Sequence, residues 1–183
     1  MKILITGAAG QIGSGLSRLL IENGHDLTLV DNLRNGYLEN LKDDANEVIA
    51  PFYEVDITSE DFFTECGGDY DVIIHLAAIT SLPDCESNPL ETLRINVSGT
   101  ANVLEFARKF DVPHVVFAST SAIYENNDTD VFTEDLEVNP RLYYSLSKKM
   151  SEELIHSYRE NYGMTVTILR FFNVFGPDGD QTR

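Results

Sequence analysis

Apolar positions along the 183-residue chain fall alternately into short runs and into a repeat of three and four, as strands alternating with helices do. Ile3-Leu4-Ile5 predicts a first strand, and Ile12, Leu16, Leu19 and Leu20 predict a helix that Gly24 ends. Residues 27–30 read as a second strand. Asn35-Gly36 marks a turn before a short helix over 37–41. The third strand is expected over 48–55, at an edge or interrupted, because it contains Pro51. Thr58 or Ser59 can cap a short helix over 60–64. Residues 71–78 are almost continuously apolar, as a strand buried on both faces should be. A long helix over 88–110 carries two stripes, one of Leu93, Val97, Ala101, Leu104 and Ala107, the other of Ile95, Val103, Phe106 and Phe110. Both must be buried, one on the sheet and one elsewhere, with a subunit partner expected for the second side. A fifth strand over 114–118 leads into Ser119-Thr120-Ser121, and residues 125–139 lack periodicity and read as a surface loop. Pro140 precedes a helix over 141–162 with Leu142, Leu146, Met150, Leu154 and Tyr158 on one side. Gly163 ends it, residues 166–171 form a sixth strand, and the chain turns out through Gly176-Pro177.

This alternation predicts an α/β fold, a parallel sheet with helices on both faces joined by right-handed crossovers. Ligands of such sheets bind beyond the carboxyl ends of the strands. Six features follow strands and so share one rim: the glycine turn at residues 6–13, Asp31, Asp56, Ala77-Ala78, Ser119-Thr120 and Phe172-Asn173. In the turn, Thr6-Gly7-Ala8-Ala9-Gly10-Gln11-Ile12-Gly13, strand gives way to helix, aiming free amides and a positive dipole end at a phosphate. Gly7 serves the tight turn, Gly10 the close approach of a pyrophosphate, and Gly13 the packing of helix on strand. Asp31, about 20 residues on, is placed for the ribose hydroxyls of NAD. It repels the 2′-phosphate of NADP, although Arg34 nearby leaves that choice open.

Composition narrows the partners. The formal net charge of -17 argues against nucleic acid or an anionic membrane surface. No apolar run reaches the roughly 20 residues of a membrane helix. Met1-Lys2 leads straight into a strand rather than a secretory leader, so a cytoplasmic location is expected. Cys66 and Cys85 have no metal-ligand spacing and read as free thiols. The histidines are scattered, no metal is expected, and His75 and His114 take hydrogen-bonded structural roles. The sequons at Asn96 and Asn127 are coincidental in a chain without a leader.

One constellation carries chemistry. Tyr144 and Lys148 are four apart on one helix and share a face. A cation held beside the phenol favours phenolate and makes a general base near neutrality. Thr120, at a strand end, can bond the same substrate oxygen.

In that order these pieces resemble the extended short-chain dehydrogenase/reductase family, and within it the nucleotide-sugar epimerases typified by UDP-glucose 4-epimerase. The likeness runs through residues 6–13, Gly24-His25-Asp26, Asp31-Asn32-Leu33, Val55-Asp56-Ile57, His75-Leu76-Ala77-Ala78 and Asn96-Val97-Ser98-Gly99-Thr100. It continues through residues 117–124, Tyr144-Ser145-Leu146-Ser147-Lys148 and residues 170–177. The resemblance implies a Rossmann-like doubly wound fold, an NAD-binding domain over 1–175, and at 176–183 the start of a substrate lobe absent from this chain. It implies that Gln11 and Ile12 meet the pyrophosphate, and that residues 31–36, including Asn32, Asn35 and Gly36, hold the adenosine ribose. Asp56 and Ile57 would hold the adenine edge. Leu76, Ala77, Ala78, Thr80 and Asn96 would line the path to the nicotinamide. Tyr144 and Lys148 would bind its ribose as well as doing chemistry, and Phe172 would sit beside its carboxamide. Ser81, Thr120 and Asn173 would contact a nucleotide-sugar substrate, a UDP-sugar by analogy, in a homodimer formed through the 88–110 and 141–162 helices.

Dehydratases of this group usually follow the threonine with Asp-Glu, and decarboxylating relatives keep a glutamate there. Here Ser121 and Ala122 follow Thr120, which favours an epimerase or a simple reductase. Glu125 replaces the glycine common after Tyr124, so the adjoining loop is expected to differ in shape. The family's smaller lobe would follow Pro177, and an NAD-binding module without turnover is the second reading.

Overall fold

Ile3 and Ile5 pack on one face of the sheet and Leu4 on the other, the two-residue alternation from which both cores are built. The structure, a computed structural model, describes residues 1–129 and 131–176. The turn predicted at Gly176-Pro177 and the segment 177–183 lie largely outside the described residues. Six strands, β1 (Lys2–Thr6), β2 (Asp26–Asp31), β3 (Phe52–Glu54), β4 (Val72–His75), β5 (His114–Thr120) and β6 (Thr165–Phe171), form one sheet in the order β3-β2-β1-β4-β5-β6. Every pairing is parallel. The strand order reverses between β1 and β4, the switch point at which open α/β sheets bind ligands.

The helices are α1 (Gln11–Glu22), α2 (Asp61–Glu65), α3 (Leu82–Ser87), α4 (Pro89–Leu93), α5 (Gly99–Lys109) and α6 (Tyr143–Tyr162), with 3-10 turns at Leu38–Leu41 and Ser121–Tyr124. One core joins Leu4, Ile73 and Val115 to Phe62, Val103, Phe106 and Ile155 of α2, α5 and α6. The other joins Ile3, Ile5, Leu27 and Leu29 to Ala8, Ala9 and Leu41.

Four expectations change. The third strand is only Phe52–Glu54, at the sheet edge, because Pro51 lacks the N–H a longer ladder needs. The fourth strand stops at His75, and residues 76–80 leave the sheet to line the rim. The 88–110 helix is divided into α4, a π turn at Arg94–Ser98, and α5. Within that turn Ile95 and Asn96, adjacent in sequence, are both buried, which a plain helix facing one core does not favour. Finally, α6 buries Ser145, Ser147, Lys148, Ser151, Glu152 and Ile155 more completely than its apolar stripe, of which Leu154 and Tyr158 are partly buried against the core. Leu142 and Met150 of that stripe are each 40% exposed. Small hydroxyl side chains let α6 approach the π turn closely: Ser151 Oγ donates to the Asn96 carbonyl at 2.9 Å.

His75 has the structural role its strand position suggests. Its ring lies between Thr6 Oγ1 at 2.7 Å and Thr100 Oγ1 at 3.1 Å. Burial, with the Lys148 charge adding to it, pushes its pKa down to about 3, so it stays neutral. His114 bonds Thr167 Oγ1 at 2.9 Å across β5 and β6, and both cysteines are buried and unpaired.

Candidate active site

The parallel strands deliver all six rim features to one open cleft of about 1040 Å³, at the upper end of the ~300–1,000 Å³ range of small-molecule sites. Its floor is the glycine turn. Gly7 has φ +72°, and a Cβ there would lie 2.6 Å from the Ala77 amide nitrogen, so only glycine fits between β1 and the segment after β4. A Cβ at Gly13 would lie 2.3 Å from the Gly7 carbonyl oxygen. Gly10 differs: its Cβ would meet only the Gly7 oxygen, at 3.4 Å, and its other side faces the cleft. Gly10 is also the N-cap of α1, with no side chain to satisfy the helix start. The amides of Gln11, Ile12 and Gly13 therefore have no intrahelical acceptors, and they belong to residues lining the cleft. This open, amide-lined floor fits a pyrophosphate.

At the β2–β3 end, Asp31 Oδ2 accepts the Ala9 amide at 3.0 Å and Oδ1 the Leu33 amide at 2.8 Å. The carboxylate thus ties the glycine turn to the loop that carries Asn32, Asn35 and Gly36, all of which line the cleft. Burial raises the Asp31 pKa, and the amide hydrogen bonds partly offset it. Burial also acts upward on Asp56, but bonds from Thr58 and Asn32 and the Arg94 charge outweigh it and hold that carboxyl below its ordinary range. Ile57, Leu76, Ala77, Ala78 and Thr80 continue the lining toward β5.

At the β5–β6 end stand Thr120, Tyr144, Lys148, Phe172 and Asn173. Thr120 stands with Tyr144 in the cleft wall, and its Oγ1 accepts the Ala122 amide at 3.1 Å. Lys148 is 4% exposed, donates from Nζ to the Ala118 carbonyl at 2.8 Å, and lies 4.9 Å from the Phe117 ring centre. Burial pushes its pKa down to about 8, against the opposing effects of Cys85 and Glu152. The expected lowering of the Tyr144 pKa by Lys148 is not found. Burial raises it, the Thr120 hydroxyl works against that, and the Cys85 thiol adds to the rise. The lysine is committed to the strand carbonyl, and burial keeps the phenol protonated.

Asn96, expected to line the path to the nicotinamide, and Ser81, expected to contact substrate, are not among the residues of the cleft wall. Asn96 is buried behind the cleft: Oδ1 accepts the Ile79 amide at 2.8 Å, and Nδ2 donates to the Ile79 carbonyl at 3.0 Å and to Ser147 Oγ at 2.9 Å. It clamps the segment after β4 to α6, and it is closed to any modification at its sequon. Ser81 caps α3, accepting the Asp84 amide, and is not part of the cleft wall.

The residues that hold α6 in place were missed from sequence. Leu142, the N-cap of α6, offers no capping side chain. Glu125 does that work from 16 residues away, accepting the Arg141 amide, the Leu142 amide at 3.0 Å and Ser145 Oγ at 3.0 Å. Glu86 accepts the Tyr143 amide at 2.7 Å. The unusual residue after Tyr124 is thus a cap from a distance, and carboxylates suit the positive end of a helix. Beneath α6, Glu152 is 1% exposed in its side chain and takes Arg170 Nε at 3.1 Å and Nη2 at 2.8 Å, with Ser119 Oγ at 2.5 Å. Arg170 Nη1 also donates to the Tyr124 hydroxyl at 2.6 Å. No local pattern announces these pairs. The signal for α3 was present, because Ser81-Leu82-Pro83-Asp84 has a capping serine and a proline in the first turn.

Residues 3–183 match the model of the NAD dependent epimerase/dehydratase family. A UDP-glucose 4-epimerase of Corynebacterium glutamicum is 33% identical over 180 residues, covering 98% of this chain and 53% of that protein. The crystal structure of Thermotoga maritima UDP-glucose 4-epimerase with UDP-glucose has a TM-score of 0.89 at 34% identity, over 98% of this chain and 58% of that one. The Thermus thermophilus UDP-glucose 4-epimerase complex with NAD has a TM-score of 0.88 at 33% identity, over 98% and 58%. The chain spans little more than half the length of these relatives.

Proposed function

Because the chain belongs to the NAD-dependent epimerase/dehydratase family, we propose that it forms the cofactor-binding and redox part of a nucleotide-sugar 4-epimerase acting on a UDP-sugar. The observation that carries this reading is the distribution of acid groups in the cleft. Among the described lining residues the only carboxylates are Asp31 and Asp56, on β2 and just after β3. They stand at least three strand spacings from Thr120, about 14 Å at ~4.8 Å per strand. Elimination of water needs an acid and base beside the reacting carbon. The residues that follow Thr120 along the cleft wall, Ser121 and Ala122, carry no carboxyl group. Reversible oxidation of a hydroxyl needs only one proton acceptor, and Tyr144 is there.

Asp31 and the loop through Gly36 would hold the adenosine ribose, Asp56 and Ile57 the adenine edge, and the amides of Gln11 and Ile12 the pyrophosphate. Phe172 and Lys148 would flank the nicotinamide. NAD, when bound, supplies a hydride acceptor that can return what it takes, and brings a positive ring to this end of the cleft. Thr120 and Tyr144 hold the sugar hydroxyl by its oxygen. Tyr144 Oη takes the proton of that hydroxyl as the carbon-bound hydrogen leaves, and gives it back when hydrogen returns to the opposite face. Lys148, with its pKa near 8, is an adjustable cation that can turn from the Ala118 carbonyl toward a ribose hydroxyl and stabilise the phenolate. Asn173 would meet the substrate's phosphates.

The half-exposed stripe of α6 and the half-buried Leu93, Val97 and Ala101 support the reading of a homodimer through these two helical segments. Sedimentation at the mass of one chain would contradict that part.

The functional test is a titration with NAD followed by UDP-, GDP-, dTDP- and CDP-sugars, on the longest natural polypeptide containing this chain. A UDP-sugar should convert to its 4-epimer with no net reduced nicotinamide. Stoichiometric accumulation of reduced nicotinamide would make the protein a dehydrogenase, and cofactor binding without turnover of any sugar would make it a binding module.

A further inference from the structure

Arg34 follows the ribose-binding Asp31 by three positions, where an arginine can accept the 2′-phosphate of NADP. In the folded chain it is already engaged. Its Nη1 donates to Glu91 Oε1 of α4 at 2.7 Å. Glu91 also accepts Arg94 Nε at 2.8 Å and Nη2 at 3.0 Å. Arg94 lies 3.7 Å from Asp56 Oδ2, to which Asn32 Nδ2 donates at 3.2 Å. The Arg34 amide donates to Asn32 Oδ1 at 3.2 Å, so Asn32, Asp56, Arg94, Glu91 and Arg34 close a polar ring that joins the loops after β2 and β3 to α4, at the end of the cleft where Asp31 sits.

The charges in this corner oppose an added phosphate. Two guanidinium groups face three carboxylates: Asp31, Asp56 and Glu91. Bonds from Arg94 and then Arg34 hold the Glu91 carboxyl down at about 2, so it is always an anion in neutral solution. Glu91 and Arg34 keep 33% and 42% of their side chains exposed, so the pair is open to rearrangement rather than locked in a core.

We propose that Glu91 is a specificity-determining residue: by holding Arg34 it withholds the guanidinium that the 2′-phosphate of NADP would require, and so keeps the cleft selective for NAD. This rests on the cofactor assignment made above, and it answers the question that Arg34 leaves open in the sequence.

The experiment is direct calorimetric titration of NAD and NADP into the protein, with Glu91→Ala, Arg34→Ala and the double variant alongside. Glu91→Ala should improve NADP binding relative to NAD by about tenfold, the worth of one charge-assisted hydrogen bond in a half-exposed site. Arg34→Ala in the parent should leave the ratio within about twofold, and in the Glu91→Ala background it should erase the gain. NAD affinity that survives in Glu91→Ala shows that the fold is intact. An unchanged ratio in Glu91→Ala overturns the proposal, as does a gain that persists without Arg34. Loss of NAD affinity in Glu91→Ala overturns it too, making the ring a structural clamp. A parent protein that binds neither dinucleotide contradicts the cofactor assignment itself.

Discussion

Tyr144→Phe is expected to lower turnover by ~10²–10⁴-fold, the usual range for removing a general acid–base group. Only the hydroxyl is lost. The ring stays in the small cluster with Ile79, Cys85 and Ile95, so folding should be little affected. NAD affinity should fall by no more than about tenfold, the most that one hydrogen bond to the ribose contributes. The informative readout is that split between turnover and binding. A variant within about tenfold of the parent in turnover would show that another group moves the proton. Burial raises the pKa of Tyr144, and this sharpens the prediction. A phenol kept protonated by burial becomes a base only when cations gather around it, so its ionisation should depend on bound oxidised cofactor. Lys148, now on the Ala118 carbonyl, must reorient for this to happen.

Glu152→Ala should destabilise the fold by about 2–3 kcal/mol, less than for a fully buried pair, because it leaves the partly buried Arg170 guanidinium with only Tyr124 and the Glu134 carbonyl as partners. That is a large share of the ~5–15 kcal/mol by which a domain is stable. The loss should appear as a lower midpoint in denaturant unfolding. Pairing it with Arg170→Met should recover much of the loss, since removing both charges is far less harmful than stranding one. A single-variant effect below about 1 kcal/mol would mean that water or Tyr124 satisfies Arg170 unaided. The site would feel the change as well, because Glu152 joins α6, which carries Tyr144 and Lys148, to Ser119 beside Thr120.

Much of this architecture was legible in the residue order. Strands buried on two faces announce themselves as apolar runs, and the glycine turn is local chemistry, so the sheet and its rim follow from the sequence. What was not legible depends on contacts between distant segments. The apolar stripe of α6 showed only part of its buried side: Leu154 and Tyr158 pack on the core, but the serines at 145, 147 and 151 are buried in close approach to neighbouring segments, which their hydropathy does not suggest. The π turn has no periodic signature, and it sends Asn96 inward as a clamp instead of to the cleft. Glu125 and Glu86 cap a helix from other parts of the chain, where a search of neighbouring residues cannot find them. The spacing of Tyr144 and Lys148 put them on one helix face, but only the fold reveals that the lysine bonds a strand carbonyl.

Under the proposed function, hydride leaves and returns to the same sugar carbon while the sugar stays in the one cleft. This is tested most directly with UDP-galactose deuterated at the carbon that inverts, incubated with the NAD-loaded protein and analysed by mass and proton spectra of the UDP-glucose formed. The label should remain at that carbon, without exchange with water and without net reduced nicotinamide. Loss of deuterium to solvent, or product in which it has passed permanently to the nicotinamide, would contradict the account.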